Sequence, residues 1–170
     1  MAPSSSSSTP ILLTGSCACN YVQYTSTRLP SSVINCHCTQ CRKLSGGPYQ
    51  SFAEFAPGTV SWVVPPTFRR SSAVGVRSYC QRCGSSMSMT YDFEPEQLGI
   101  VAGTINDDDD GDGDAEKIPK PRAHIFLKEK ASWFEIPEDG AERWDAYTPD
   151  VEEALQRLEK RREDRAKEGS

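Results

Sequence analysis

Seven cysteines in three short-spaced groups constrain this chain more than any other feature: Cys17-x-Cys19, Cys36-x-Cys38-x-x-Cys41 and Cys80-x-x-Cys83. An odd number of thiols strands one in any full set of disulfides. The first ten residues, Met-Ala-Pro followed by a serine run, have neither the basic segment nor the apolar segment of an export signal. A cytoplasmic, reducing location is therefore expected, where clustered cysteines are more often metal ligands than disulfides. Cysteine arithmetic thus points to metal.

The outer two groups read as one site. Cys17, Cys19, Cys80 and Cys83 are two pairs about sixty residues apart, and four thiolates close a tetrahedral, structural zinc site. Gly84, directly after Cys83, lets backbone amides turn towards the sulfurs. A redox C-x-x-C would be expected beside a βαβ pattern, which this sequence lacks. The central group is different. Cys36, Cys38 and Cys41 put three thiols within six residues, and three thiolates leave a fourth zinc position free, as in catalytic sites. The competing reading is a second closed site with His37 or His124 as fourth ligand. Three thiolates on Zn²⁺ carry a net charge near −1, which Arg42 and Lys43 can offset and which weakens the metal as a Lewis acid. Such a centre suits holding a thiolate substrate better than generating hydroxide.

Elsewhere the chain reads as short strands. Residues 11–15, 20–25, 32–35, 49–55, 59–64, 74–79, 86–91 and 98–105 are rich in β-branched and aromatic residues and are separated by turn signals, as in mainly β meanders. Asn20 follows the first cysteine pair, and asparagine is among the few residues besides glycine that tolerate a left-handed conformation. The stretch from Arg42 to Pro48 reads as a turn, because Gly46-Gly47-Pro48 stops any helix begun at Cys41. Residues 106–122, with a dense aspartate run, are expected as a mobile acidic loop. Its Asp108-x-Asp110-x-Asp112-Gly113 pattern lacks the closing glutamate and flanking helices of a calcium loop. Strand pattern resumes at 124–127, and 132–136 is a further candidate. One helix is expected from Pro149, with Thr148 as N-cap and Val151, Ala154, Leu155 and Leu158 as its apolar stripe; beyond Leu158 it is expected to fray. The domain plan is a disordered leader at 1–10, a zinc domain at 11–148 and a C-terminal helix and tail at 149–170.

A formal net charge of −5 argues against a nucleic-acid-binding surface, and no apolar run has the length of a membrane span. The expected partners are small molecules. The sequence leaves the oligomeric state open.

Five motifs occur in one order: Gly15-Ser-Cys-Ala-Cys19, the stretch from Cys36-His-Cys-Thr-Gln-Cys41 through Gly47, Arg77-Ser-Tyr-Cys-Gln-Arg-Cys-Gly-Ser85, Ala102-Gly-Thr-Ile105, and His124-Ile-Phe with Trp133. Together they resemble the glutathione-dependent formaldehyde-activating enzyme family, also called the centromere protein V family, over about residues 11–148. The resemblance implies a β-tent of short antiparallel sheets built around zinc, with two Zn²⁺ ions. Cys17, Cys19, Cys80 and Cys83 would hold the structural ion, and Cys36, Cys38 and Cys41 the catalytic one.

It further implies a carbon–sulfur lyase with glutathione as co-substrate, forming or cleaving S-hydroxymethylglutathione-type adducts. His124 is a candidate acid/base near the metal, or a satisfied structural histidine. Arg42 and Arg77 are candidates for a glutathione carboxylate. Two alternatives stand beside this reading. One keeps the site but uses it for elimination, isomerisation or cyclisation of a specialised substrate. The other is a non-catalytic zinc-stabilised binding module, which would be expected to carry a basic tail that this chain lacks. Asn20 replaces a family glycine, and the acidic insertion at 107–116 has no family counterpart.

Overall fold

A computed structural model describes residues 10–106 and 118–168. The serine leader and most of the acidic loop therefore lie outside the described residues. Three strands form a small antiparallel sheet: β1 (Leu13–Ser16), β2 (Gln23–Ser26) and, later in the chain, a strand at Val60–Val64. Between them come β3 (Ser32–Cys36), helix α1 (Thr39–Ser45) and β4 (Gln50–Phe55), so the strand at Val60–Val64 is β5. There follow β6 (Thr67–Arg70), β7 (Gly75–Tyr79), β8 (Ser86–Tyr91), β9 (Glu94–Val101), β10 (Pro121–Ile125), β11 (Glu142–Arg143) and helix α2 (Pro149–Glu168). The large sheet has eight strands in the order β11-β10-β3-β4-β9-β8-β7-β6.

The mainly β expectation holds, with one refinement. β10 runs parallel to both β3 and β11, so the large sheet is mixed. This parallel edge has a direct consequence: Ile125 pairs with Cys36 and His124 with Asn35. Neighbouring residues on a strand face opposite sides of a sheet. Both faces of β3 are buried. Val33 joins a core with Leu13, Val22, Tyr24, Phe55, Met87 and Ile100, while Ile34 and Cys36 join another with Cys41, Ala123 and Ile125. The cysteine cluster is thus built into a second core.

Several expectations are corrected. Residues 39–45 form helix α1 where a turn was expected at 42–48. The helix starts before Cys41, because Cys38 caps it: the Cys41 N–H donates to Cys38 Sγ at 3.4 Å. Gly46 does end it, returning its N–H to the Arg42 carbonyl at 3.0 Å. The span assigned to the acidic loop ends in a strand, since β10 begins at Pro121. Residues 132–136 form no strand; the Phe134 N–H turns back to the Ala131 carbonyl. Helix α2 continues past Leu158 to Glu168. Tertiary contact holds it there, for Arg162 reaches Asp92 at 3.3 Å and the Ala73 carbonyl at 3.4 Å.

Thr148 does stand at the N-cap position of α2, where its carbonyl accepts the Glu152 N–H at 3.0 Å. Asn20 adopts the left-handed conformation expected of it, with φ 61°.

Gly15 shows how the sequence positions the first cysteine pair. It lies opposite Tyr24 in the β1–β2 ladder, and a Cβ there would come within 2.1 Å of the Tyr24 ring. Only glycine lets this buried ring lie across β1, where its hydroxyl pairs with Thr104 at 3.1 Å. Burying such a ring contributes about 1.5–3 kcal/mol, and it clamps the strand that delivers Cys17.

Candidate metal centres

All seven cysteines are free thiols. They fall into two groups whose sulfurs lie within 4.8 Å of one another: Cys17, Cys19, Cys80 and Cys83, and separately Cys36, Cys38 and Cys41. A tetrahedral zinc with bonds of about 2.3 Å needs sulfurs about 3.8 Å apart. In the first group Cys19 and Cys80 are 3.8 Å apart, and Cys17 and Cys19 are 3.5 Å apart. The donor set fits zinc.

The local backbone explains this geometry. The Cys17 N–H donates to the Val22 carbonyl at 3.0 Å, and the Val22 N–H returns to Cys17 Sγ at 3.2 Å. Opposite them, the Cys80 N–H pairs with the Ser85 carbonyl at 2.9 Å, and the Gly84 N–H with the Cys80 carbonyl at 2.9 Å. Gly84 needs a φ of 78° to make that turn, which a side chain would strain. Ser85 ties the two halves together, accepting the Ala18 N–H at 3.2 Å and lying 3.1 Å from Cys83 Sγ. Its hydroxyl, helped by its backbone, holds the Cys83 thiol down at about 6. Arg82, stacked on Tyr21, supplies a cation on the neighbouring turn.

The second group sits where β3 runs into α1. Cys36 and Cys41 are buried and Cys38 is half-buried. No histidine, cysteine or carboxylate among the described residues supplies a fourth donor atom to this group. Hydrogen bonds from Cys36 and then Cys41 pull the Cys38 thiol down to about 2, while the Cys36 thiol is pushed well up by the same bond. The hydrogen bonds thus favour charge on Cys38 over its two neighbours.

Arg77 and Arg42, both read as carboxylate binders, occupy different places. Arg77 is 7% exposed; its Nη2 donates to Cys41 Sγ at 3.2 Å and its Nη1 to Gln50 Oε1 at 3.3 Å. Its cation faces the cluster directly and balances thiolate charge there. Arg42 is half-buried on α1, with Nη2 3.4 Å from the Thr39 hydroxyl and a buried Nε that lacks a hydrogen-bond partner.

His124 is fully buried with both ring nitrogens engaged. Its Nδ1 lies 2.8 Å from His37 Nε2, and its Nε2 lies 2.9 Å from Asp139 Oδ2. Asp139 accepts only, so in the neutral chain His124 donates to it and receives the proton of His37. This bond holds the Asp139 carboxyl below its ordinary range. Burial, then the charge of His124, lowers His37 to about 4. By its register beside Asn35, His124 points to the sheet face opposite Cys36, where His37 packs against Tyr49 and Phe134. The structure does not bring His124 to the thiols. It brings it to the loop residue between two of them.

Sequence reasoning missed a set of aromatic residues. Tyr91 stacks on Phe93 at 4.7 Å, and Tyr147 meets Phe126 edge-on at 4.7 Å and Tyr91 at 6.0 Å. Burial raises the Tyr147 phenol, and the charges of Cys36, Cys38 and Cys41 all add to that rise. Tyr91 is raised by burial and feels Cys36 as well. Phe126 takes a left-handed φ of 59°, rare for a bulky residue and typical of functional sites. Nothing in the residue pattern links Tyr91 to Tyr147, 56 positions away; only the fold does.

The profile of the glutathione-dependent formaldehyde-activating enzyme family matches residues 12–129. A Halomonas elongata protein, provisionally named as such an enzyme, is 28% identical over 153 residues, covering 82% of this chain and 90% of its own. A crystal structure of a Rhodobacter sphaeroides protein aligns with 77% of this chain and 98% of its own, at 14% identity and a TM-score of 0.47.

Proposed function

Because the chain belongs to the glutathione-dependent formaldehyde-activating enzyme family, we propose that it is a cytoplasmic zinc-dependent carbon–sulfur lyase that forms and cleaves glutathione adducts of small aldehydes. The observation that carries this reading is the three-sulfur group of Cys36, Cys38 and Cys41 without a fourth protein donor among the described residues. A closed four-thiolate group stands separately for the structural role, at Cys17, Cys19, Cys80 and Cys83. Zinc, when held by the three sulfurs, supplies acidification of a substrate thiol and a fixed direction for its sulfur.

The protein's own residues do the rest. Arg77 offsets the thiolate charge through Cys41. His124 acts as a positioning residue, since it anchors His37 between Cys36 and Cys38. The substrate sulfur adds to the aldehyde carbon, the carbonyl electron pair moves to oxygen, and that oxygen takes a proton; cleavage reverses each movement. We assign the proton to the Tyr147 phenol, which packs on Phe126 against the core that holds Cys36 and Cys41 and which burial and the cysteine charges keep in its protonated form. Removing a general acid–base group typically lowers turnover about 10²–10⁴-fold, so Tyr147→Phe is expected to lower kcat within that range with both zinc ions retained.

The decisive assay mixes zinc-loaded protein with glutathione and formaldehyde and follows S-hydroxymethylglutathione. No acceleration over buffer rejects the type reaction. One observation favours a second reading, in which the same site takes a bulkier electrophile. Tyr91, Phe93, Phe126 and Tyr147 pack ring on ring, with Phe126 against the core that holds Cys36 and Cys41, an apolar cluster that a formaldehyde adduct does not need. Faster turnover of an aromatic aldehyde adduct than of the formaldehyde adduct would select that reading.

A further inference from the structure

A cavity of about 200 Å³ is lined by Leu44 near the end of helix α1 and by Gln50 and Arg77, the latter bonded to Cys41. Its polar lining comes from Gln50, Arg69, Arg77, Ser78, Ser86 and Ser88. Arg77 is the link, because one guanidinium both lines the cavity and donates to Cys41 Sγ. Two of its nitrogens are committed, to Cys41 and Gln50, but its buried Nε lacks a hydrogen-bond partner. An unpaired buried N–H of a charged group costs about 1–3 kcal/mol or more. A bound acceptor would remove that cost. Arg69 adds a second cation at the exposed rim and forms no ion pair among the described residues.

We propose that this cavity is a carboxylate subsite that seats the C-terminal glycine end of the glutathione adduct. The inference rests on the function proposed above and names how its co-substrate is held. Two features select the glycyl end. The cavity is smaller than the roughly 300–1,000 Å³ of a complete small-molecule site, so it takes one end of a tripeptide. Its lining contains two arginines and no aspartate or glutamate. The γ-glutamyl end carries an ammonium beside its carboxylate, and nothing here would pair with it. The glycyl carboxylate has no such companion, and it follows the thiol-bearing residue by a single residue, at about 3.3–3.6 Å per extended residue. A carboxylate held by Arg77 thus keeps its own sulfur within reach of the cysteine cluster.

The test is calorimetric binding of glutathione and of its glycyl monoethyl ester to the zinc-loaded protein, with no aldehyde present. Wild type is expected to bind glutathione about 10-fold or more tighter than the ester, one charge-assisted contact being worth at least that factor. Arg69→Ala, which removes the rim cation and leaves Arg77 in place, is expected to reduce this preference without abolishing it. Ser86→Leu, which fills the cavity, is expected to erase it, and the zinc content and melting temperature of each variant report whether the fold survives. Equal affinity for acid and ester in wild type overturns the proposal, as does an unchanged preference in both variants. Turnover of the formaldehyde adduct is measured separately. Full turnover with no acid preference sinks the subsite alone, whereas acid-selective binding without turnover sinks the lyase reading alone.

Discussion

Replacing Arg77 by methionine isolates the coupling between this residue and the open metal group. The substitution keeps most of the buried chain length and removes the cation. It deletes the Nη2 contact to Cys41 Sγ at 3.2 Å and the Nη1 contact to Gln50 at 3.3 Å. A hydrogen bond to a charged partner contributes about 1.5–3 kcal/mol, which at 1.4 kcal/mol per decade corresponds to about 10- to 100-fold in affinity. Loss of a partner one shell out from a metal ligand typically has the same size. Arg77→Met is therefore expected to weaken zinc at Cys36, Cys38 and Cys41 by about 10- to 100-fold. Zinc at Cys17, Cys19, Cys80 and Cys83 is expected to stay put, since Arg77 touches none of those sulfurs.

The assay is competition against a chromophoric chelator, starting from two zinc ions per chain and resolving the two release steps. Arg77 lies on β7, which runs directly into Cys80, so distortion of that strand would loosen both groups. Ser78→Ala, a change on the same strand, controls for this. The reasoning is refuted if both ions weaken together in Arg77→Met but not in Ser78→Ala, or if neither ion moves.

Three further outcomes follow from the same geometry. Cys41→Ala is expected to remove one zinc and the activity while the fold persists, whereas Cys83→Ala unfolds the small sheet; comparable loss of melting temperature in both would contradict the division of roles. Loading zinc into the three-cysteine group should release about two protons, because the Cys36 thiol is held well up by its bond to Cys38, and Cys41, drawn down by Cys36 but raised more by Cys38 and burial, stands at about 11. Its apparent affinity then falls about 100-fold per unit of acidification, and calorimetry in buffers of different ionisation enthalpy counts the protons; a buffer-independent heat would refute this. Finally, His124→Leu leaves the buried His37 without its partner, for a cost of about 1–3 kcal/mol. Urea unfolding reads that cost, and a change below 1 kcal/mol would show the buried chain to be dispensable.

Much of the metal chemistry was legible in one dimension because short spacing places ligands almost by covalent geometry alone. Cys36, Cys38 and Cys41 are within six residues, and a single capped turn of helix gathers them. The Asn20 turn was readable for the same local reason. The pairing of Cys17 and Cys19 with Cys80 and Cys83 spans about sixty residues, yet thiol count and four-fold ligation narrowed the choice. Residues 42–45 were misjudged as part of a turn because the stop signal at Gly46 is strong and the start signal is a cysteine cap, which propensity does not anticipate. The long run of α2 was missed for a different reason: its last turns are charged all round, and two groups distant in sequence, Asp92 and the Ala73 carbonyl, hold Arg162.

The cysteine spacing by itself determined that this protein gathers its thiols into groups fit to hold metal, and that three of them stand apart from the other four. Local geometry suffices for that, since a chain of a few residues has little freedom in where it points its sulfurs. Tertiary structure alone decided what surrounds those sulfurs. A parallel edge strand turned His124 to the far face of the sheet and gave it His37 and Asp139 as partners. An antiparallel ladder brought Arg77 to Cys41 instead of to solvent, and a return of the chain after β11 set Tyr147 against Tyr91. These placements depend on strand order and register, where a shift of one residue exchanges the two faces.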